Sequence, residues 1–387
     1  MKRTASRGSQ QSRSWSAGVG SKPPEAVITA SAPCRVDLAG GTVDIWPLYL
    51  FHPGAVTVNV AVEIRTRCRI VATSSPEIHL SSIDAKLEDR FPNMEAFMAA
   101  KRPSHALAAH LLRFFFLPAE PRQGRRKGGF WLETNSDAPA GAGISGSSAL
   151  MIATTAALAR YTGRALTPEQ IRELAQNVEA QLIAVPTGCQ DYYPALYGGV
   201  NAIHLDADGL HREAIALSPA ELEARAVLVY TGAPRQSGIN NWEVFKAHIE
   251  GDRRVRRNFS QIVEIAQSMG EALRAEAWDD VERLLREEWQ LRKRNASGIS
   301  TPLIDRLIDI AGRNGGRAAK VCGAGGGGCV FFLVEPGAQE RVRQALAKAG
   351  AKVLPFRVAS RGLKIHGEAV KPRLAASLAR GGGRADG

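Results

Sequence analysis

Hydrophobic and polar positions along this chain follow two periods, and the places where the period changes outline the fold. Residues 26–32 and 34–38 carry β-branched and small apolar side chains in strand-like runs, and the Gly-Gly pair at 40–41 turns the chain. Residues 55–72 alternate strongly and are rich in valine and isoleucine, which predicts a long strand. Residues 104–117 change to a helical pattern, 128–134 return to strand, and 147–161 form an apolar helix. Thr167, with Pro168 and Gln170 behind it, is a capping box with proline at the first helical position. The helix it opens has Ile171, Leu174, Ala175, Val178 and Leu182 on one stripe. Further on, the pattern predicts a buried strand at 226–230, helices over 242–269, 271–293 and 301–313, and a strand at 330–334. A helix over 337–349 and a last strand near 352–359 close the series, and no internal repeat is present. Such mixing excludes an all-α fold, and 387 residues are enough for two domains.

The junction between the strand at 128–134 and the helix at 147 is the segment richest in chemistry. It reads Asp-Ala-Pro-Ala-Gly-Ala-Gly-Ile-Ser-Gly-Ser-Ser from Asp137 to Ser148. Gly141, Gly143 and Gly146 are expected to let the backbone turn tightly and approach a ligand. Ser147 and Ser148 fall where a new helix presents unpaired N–H groups and its positive dipole end. Such a loop suits an anion, above all a phosphate. It is not a dinucleotide fingerprint, because a second helix follows where a second strand ending in an acid is needed. It is not a Walker-type loop either, since no lysine lies between Lys127 and Lys246.

Two more segments complete a pattern. One runs Ser-Ala-Pro-Cys-Arg-Val-Asp-Leu-Ala-Gly-Gly-Thr-Val-Asp from Ser31 to Asp44, the other Lys-Val-Cys-Gly-Ala-Gly-Gly-Gly-Gly-Cys from Lys320 to Cys329. With the central loop they resemble the three signature motifs of the GHMP small-molecule kinases, in their usual order. That family includes galactokinase, homoserine kinase, mevalonate kinase and the heptose and fucose kinases. The resemblance runs from about 27 to 367 and implies an α+β, two-domain GHMP kinase fold. Its N-terminal domain, ribosomal-protein-S5-like, would span 26–215, and its ferredoxin-like C-terminal domain 216–370. Basic tails at 1–25 and 371–387 would lie outside both.

The resemblance also implies roles. ATP would lie against Pro139, Gly141, Ala142, Gly143, Ser145, Gly146 and Ser147, with Gly325 and Gly326 beside its phosphates. Mg²⁺ would be held by Ser148 and Glu179, although Ser147 is an alternative to Ser148. Glu179 borders the apolar stripe of its helix and precedes the loop Val-Pro-Thr-Gly-Cys-Gln that leads to Asp191. Asp191 would orient or deprotonate the acceptor hydroxyl, and Arg35 would steady the acceptor, Asp191 or the transferred group. Gly41, Asp44, Thr187, Gly188 and Gln190 would surround the sugar, and Asp37 would be structural.

Two departures and one likeness narrow the substrate. The central motif has Gly-Ile-Ser-Gly-Ser-Ser, closest to a form found in uronic-acid kinases. Gly40-Gly41-Thr42 replaces the Gly-Glu-His of galactokinase and mevalonate kinase. The first motif, Tyr-Gly-Gly-Val at 197–200 and Val-Tyr-Thr-Gly at 229–232 look most like heptose-phosphate and fucose-type kinases. The expected activity is ATP-dependent phosphorylation of a sugar or sugar-phosphate hydroxyl, with heptose 7-phosphate first. A sugar 1-kinase of the fucose or uronic-acid type is the alternative, and a catalytically silent sugar sensor is another.

Charge and composition change this little. The net charge is +12, of which residues 1–25 contribute +4 and residues 371–387 contribute +3. These Ser/Gly/Arg-rich tails read as disordered, and a further basic cluster spans 122–127. No aromatic platform accompanies them, so nucleic acid is not an expected partner. Cys34, Cys68, Cys189, Cys322 and Cys329 form no C-x-x-C pair and read as buried free thiols in a reducing compartment. No run approaches the ~20 apolar residues that span a bilayer, and a cytoplasmic location is expected. A small-molecule sugar is the expected partner, and a homodimer is left open.

Overall fold

The structure is a computed structural model that describes residues 27–116, 128–234 and 239–367. The two tails and the basic cluster at 122–127 named above lie outside the described residues. The first half contributes strands β1 (Val27–Ala39), β2 (Val56–Ala72), β3 (Ile78–Ser82), β4 (Leu87–Phe91), β5 (Phe130–Ser136), β6 (Val200–Asp206) and β7 (Gly209–Ile215). Its helices are α1 (Met94–Ala99), α2 (Ala106–Phe116), α3 (Gly146–Thr162), α4 (Pro168–Ile183) and α5 (Tyr192–Tyr197). The second half has α6 (Pro219–Arg225), β8 (Ala226–Tyr230), α7 (Ile239–Ile249), α8 (Arg253–Arg274), α9 (Trp278–Lys293) and α10 (Pro302–Gly312). Then come β9 (Gly316–Val321), β10 (Cys329–Val334), α11 (Gln339–Lys348), β11 (Lys352–Leu354) and β12 (Lys364–His366).

β2 organises the larger sheet. Along one edge it pairs antiparallel with β1, whose two predicted runs prove to be one strand with a register shift between Pro33 and Cys34. Its other edge is divided, with residues 56–60 on β6 and 66–72 on β5. The sheet order is β12-β1-β2-β5-β3-β4, and β6 carries β7. β12 brings the last described residues back onto β1. α3 is buried on nearly every side, from Ser148 to Ala159 and again at Tyr161, as expected for a helix that is apolar all round. α4 begins with the predicted capping box and packs Ile171, Ala175 and Val178 inward.

The smaller sheet runs β11-β8-β10-β9, all antiparallel. Four helices, α7 to α10, connect β8 to β9 and α11 connects β10 to β11, so the strands follow the ferredoxin-like order, last beside first, with additional helices in the first connection. One helical expectation is corrected. The break lies at Gly251–Asp252, not at Gly270, because the Asp252 carboxylate accepts the Arg254 and Val255 N–H groups and caps α8. Gly270 is buried within α8, which ends at Arg274 before α9 starts at Trp278. All five cysteines are free and buried, as expected.

Candidate active site

A cavity of about 530 Å³ lies where the two glycine-rich loops, the β1 turn and the α4–α5 connection meet. The loop between β5 and α3 forms one wall. Its left-handed residues are Gly141 (φ 67°), Gly143 (φ 77°) and, unexpectedly, Ser145 (φ 61°). Gly146 is instead the first helical residue, so the tight turning assigned to it belongs to Ser145. Three consecutive carbonyls of this loop are occupied by protein donors. Ala142 O accepts from Cys329 N at 2.7 Å, Gly143 O from Arg35 Nη1 at 2.9 Å, and Ile144 O from Arg35 N at 3.0 Å. An anion-binding turn needs this, so that N–H groups rather than carbonyls meet the charge. The Ser145 hydroxyl is buried and has no protein partner.

Glu179 is buried, not merely at the border of its stripe. Its Oε1 accepts from Ser147 Oγ at 2.5 Å and its Oε2 from the Tyr192 hydroxyl at 2.8 Å, while Ser148 also donates to it. Burial raises the pKa of this carboxyl and the three hydroxyl donors oppose the rise. The result is a carboxylate with two serine hydroxyls beside it at the start of α3. An all-oxygen set of this kind suits a hard cation such as Mg²⁺.

α4 ends at Ala184 in a left-handed conformation (φ 56°), and the chain returns along the β1 turn through an isolated bridge between Ile45 and Gly188. The Gln190 N–H donates to Asp44 Oδ2 at 2.9 Å, and Cys189 N to Asp44 O at 3.2 Å. A Cβ on Gly188 would stand 2.1 Å from Asp44 Oδ2, so glycine is required there by the carboxylate itself. Burial, then the nearby charge of Asp191, pushes the Asp44 carboxyl up from 3.8 to about 6. Gln190 is buried and its side-chain oxygen has no protein partner, while Thr187 lines the rim. Arg35 reaches from β1 to the same loop, with Nε and Nη2 donating to Asp191 Oδ1 at 2.8 and 2.6 Å. The carboxylate raises the pKa of this buried guanidinium further, against its desolvation.

The late glycine run is placed differently from expectation. Gly323 and Ala324 line the cavity, whereas Gly325 and Gly326 do not. Gly325 turns against the Ile299 loop, where a Cβ would lie 2.5 Å from Ile299 O, and Gly326 N donates to that oxygen at 2.9 Å. Gly325 to Gly328 all have positive φ (84°, 79°, 151°, 80°), which accounts for four glycines in a row. Gly41 and the other expected residues of the two loops do line the cavity. Sequence reasoning missed Arg292 on its inner wall and Ser82, Asp84 and His105 at its far end, since these come from segments without glycine-rich signals.

Comparison with known proteins identifies the two domains. The sequence matches the profile of the GHMP kinases N terminal domain over residues 107–199 and that of the GHMP kinases C terminal domain over 269–352. The chain carries both domains of the GHMP kinases. It is 26% identical over 345 residues to D-glycero-alpha-D-manno-heptose 7-phosphate kinase of Campylobacter jejuni, covering 87% of this chain and 98% of that protein. It is equally 26% identical over 355 residues to mevalonate kinase of Pyrococcus horikoshii, covering 87% and 97%. Among solved structures, a D-glycero-D-manno-heptose 1-phosphate kinase from Bacteroides thetaiotaomicron superposes with TM-score 0.69 at 24% identity, covering 89% and 99%. Lactococcus lactis galactokinase complexed with galactose gives 0.70 at 17% identity, covering 87% and 95%. No helix among the described residues is long and apolar enough to cross a membrane.

Proposed function

We propose that this kinase transfers the γ-phosphoryl group of ATP, with Mg²⁺, to a hydroxyl of a sugar phosphate, with a heptose 7-phosphate as acceptor. The observation that carries the reading is the Arg35–Asp191 pair, which faces the same cavity as the Ser147/Ser148–Glu179 set. Phosphoryl transfer demands positioning and charge neutralisation more than covalent participation, and these two sets supply both. Bound Mg²⁺ would neutralise charge on the phosphates. Glu179 and one or both serines would hold it, and the N–H groups of the 141–147 loop would hold the phosphates. Asp191 accepts the hydrogen bond of the acceptor hydroxyl and takes its proton as the new bond forms. Arg35 fixes the Asp191 carboxylate in place, and Asp44 and Gln190 hold further hydroxyls of the sugar. The base end of ATP would extend toward Ser82, Asp84 and His105.

The heptose 7-phosphate kinase of Campylobacter jejuni supports the acceptor class. A sugar 1-kinase is the second reading, favoured by the similarity to an L-fucokinase/L-fucose-1-P guanylyltransferase of Bacteroides fragilis, 24% identical over 345 residues that make up 36% of that protein. A silent sensor would need neither the Arg35–Asp191 pair nor the serine–glutamate set. The test is product analysis by phosphorus NMR with Mg-ATP and heptose 7-phosphate, heptose 1-phosphate, fucose, glucuronate, galacturonate, galactose and mevalonate. A new phosphoryl signal on the heptose phosphate alone supports the first reading. A sugar 1-phosphate from fucose or a uronic acid transfers it to the second, and turnover of mevalonate would overturn both.

A further inference from the structure

Four buried charged groups have no part in the chemistry above: Asp37 on β1 and Arg292 on α9, which line the cavity, and Glu288 on α9 and Lys320 on β9 behind them. Arg292 Nη1 donates to Asp37 Oδ2 at 3.0 Å, and Lys320 Nζ lies 2.9 Å from the same oxygen and 2.8 Å from Glu288 Oε1. The other arm of Arg292, Nη2, donates to Gly323 O at 2.9 Å and to Thr42 Oγ1 at 3.3 Å. One guanidinium therefore joins β1, the turn after it and the start of the late glycine loop. Burying such ions costs several kcal/mol each before pairing, and apolar residues of like volume fill a core at least as well. Stability alone gives no reason for the cluster, whereas geometry does.

The Asp37–Arg292 pair also shapes the turn above it. A Cβ on Gly41 would fall 2.4 Å from Asp37 Oδ2 and 2.6 Å from Arg292 Nη1, so the turn rests directly on the pair. The next residue, Thr42, is left-handed at φ 77°, and Asp44 follows two positions later. We propose that Arg292 is the positioning residue of the acceptor site: its forked guanidinium clamps the Gly41–Thr42 turn to Gly323 and thereby sets where Asp44 stands in the cavity. The acceptor side of this inference rests on the sugar-kinase reading, but the clamp itself does not. Lysine cannot replace it, because a point charge satisfies Asp37 but cannot span Thr42 and Gly323 as well.

The experiment compares the full-length protein with Arg292→Lys and Arg292→Met by amide hydrogen exchange and by steady-state kinetics. In Arg292→Met, peptides covering 40–45 and 321–326 are expected to exchange at least about tenfold faster together, with α3 and β10 unchanged. The KM of the acceptor rises about tenfold while that of ATP stays within about twofold. Arg292→Lys recovers thermal stability but not the acceptor KM. If Arg292→Met does not fold, Arg292→Lys carries both readouts alone. Unchanged exchange in either peptide, or both KM values rising in step with lost stability, would overturn the clamp. If the wild type phosphorylates no acceptor, the sugar-kinase reading fails, and the exchange data still decide the clamp.

Discussion

Arg35 holds Asp191 by a single oxygen: Nε and Nη2 converge on Oδ1 at 2.8 and 2.6 Å, so Oδ2 takes no part in the pair. Arg35 also binds Gly143 O through Nη1, tying the acceptor-side carboxylate to the phosphate-side loop through one side chain. Asp191→Asn keeps an oxygen for Arg35 but cannot take a proton. Its kcat should fall by roughly 10²–10⁴, the range for loss of a positioned acid–base group. The KM for ATP should change little, and steady-state kinetics at saturating Mg²⁺ measures both.

Glu179→Gln separates metal holding from folding. The amide can still accept from Ser147 or Tyr192, but it removes a buried carboxylate whose pKa burial has raised. Thermal stability near pH 8 should therefore be retained or improved. The Mg²⁺ concentration for half-maximal rate should rise by about tenfold or more, since Mg²⁺ relies on few protein oxygens. A Mg²⁺ titration of rate, run beside melting curves, checks the pair of outcomes.

Gly146→Ala distinguishes a glycine needed by the fold from one needed by a ligand. Its φ is not in the left-handed region, and a Cβ there would meet Ala138 Cβ at an ordinary 3.4 Å. Replacing glycine by alanine at a compatible backbone conformation stabilises by about 0.4–1 kcal/mol through the unfolded chain, so the melting temperature should hold or rise. If phosphates approach this backbone closely, the KM for ATP should nonetheless increase several-fold. A variant with both stability and KM unchanged would place the phosphates elsewhere.

Asp44 predicts a pH-dependent effect. Its carboxyl is raised from 3.8 to about 6, so the folded state holds the proton more tightly than the unfolded chain. The stabilisation this brings is complete below about pH 4 and is lost as pH rises through about 6. Asp44→Asn removes the ionisation and keeps an acceptor for the Gln190 N–H. Melts should coincide near pH 4, with the variant gaining toward pH 8 by at most on the order of 3 kcal/mol. A difference independent of pH would contradict the shift. Acceptor turnover should be lost throughout, because the hydroxyl partner is altered.

Much of this site is legible in the linear sequence because phosphate chemistry leaves local marks. Gly141, Gly143 and the start of α3 are read from a strand-to-helix junction, and α4 from Thr167 and its capping partner. The hairpins β3–β4 and β6–β7 leave little trace in the sequence, since their short runs such as Leu-Glu-Asp-Arg-Phe alternate only weakly. Arg292 leaves no local signal, and Lys320 opens the late glycine motif without showing its partners: they meet Asp37 across 255 and 283 positions, and only the packing of α9 and β9 brings them there. The late glycine run shows the limit of motif reading. Its four glycines are visible, but that Gly323 and Ala324 rather than Gly325 and Gly326 face the cavity depends on the Ile299 loop.

The most direct measurement is ADP release by the wild type and by Asp191→Asn, with Mg-ATP and heptose 7-phosphate, followed by the other acceptors. Release that depends on the sugar phosphate, and that falls at least about a hundredfold in the variant, is the predicted result. Acceptor-dependent release that the variant retains in full would contradict the assigned role of Asp191. No release with any acceptor, despite measurable ATP binding, would contradict the sugar-kinase reading itself.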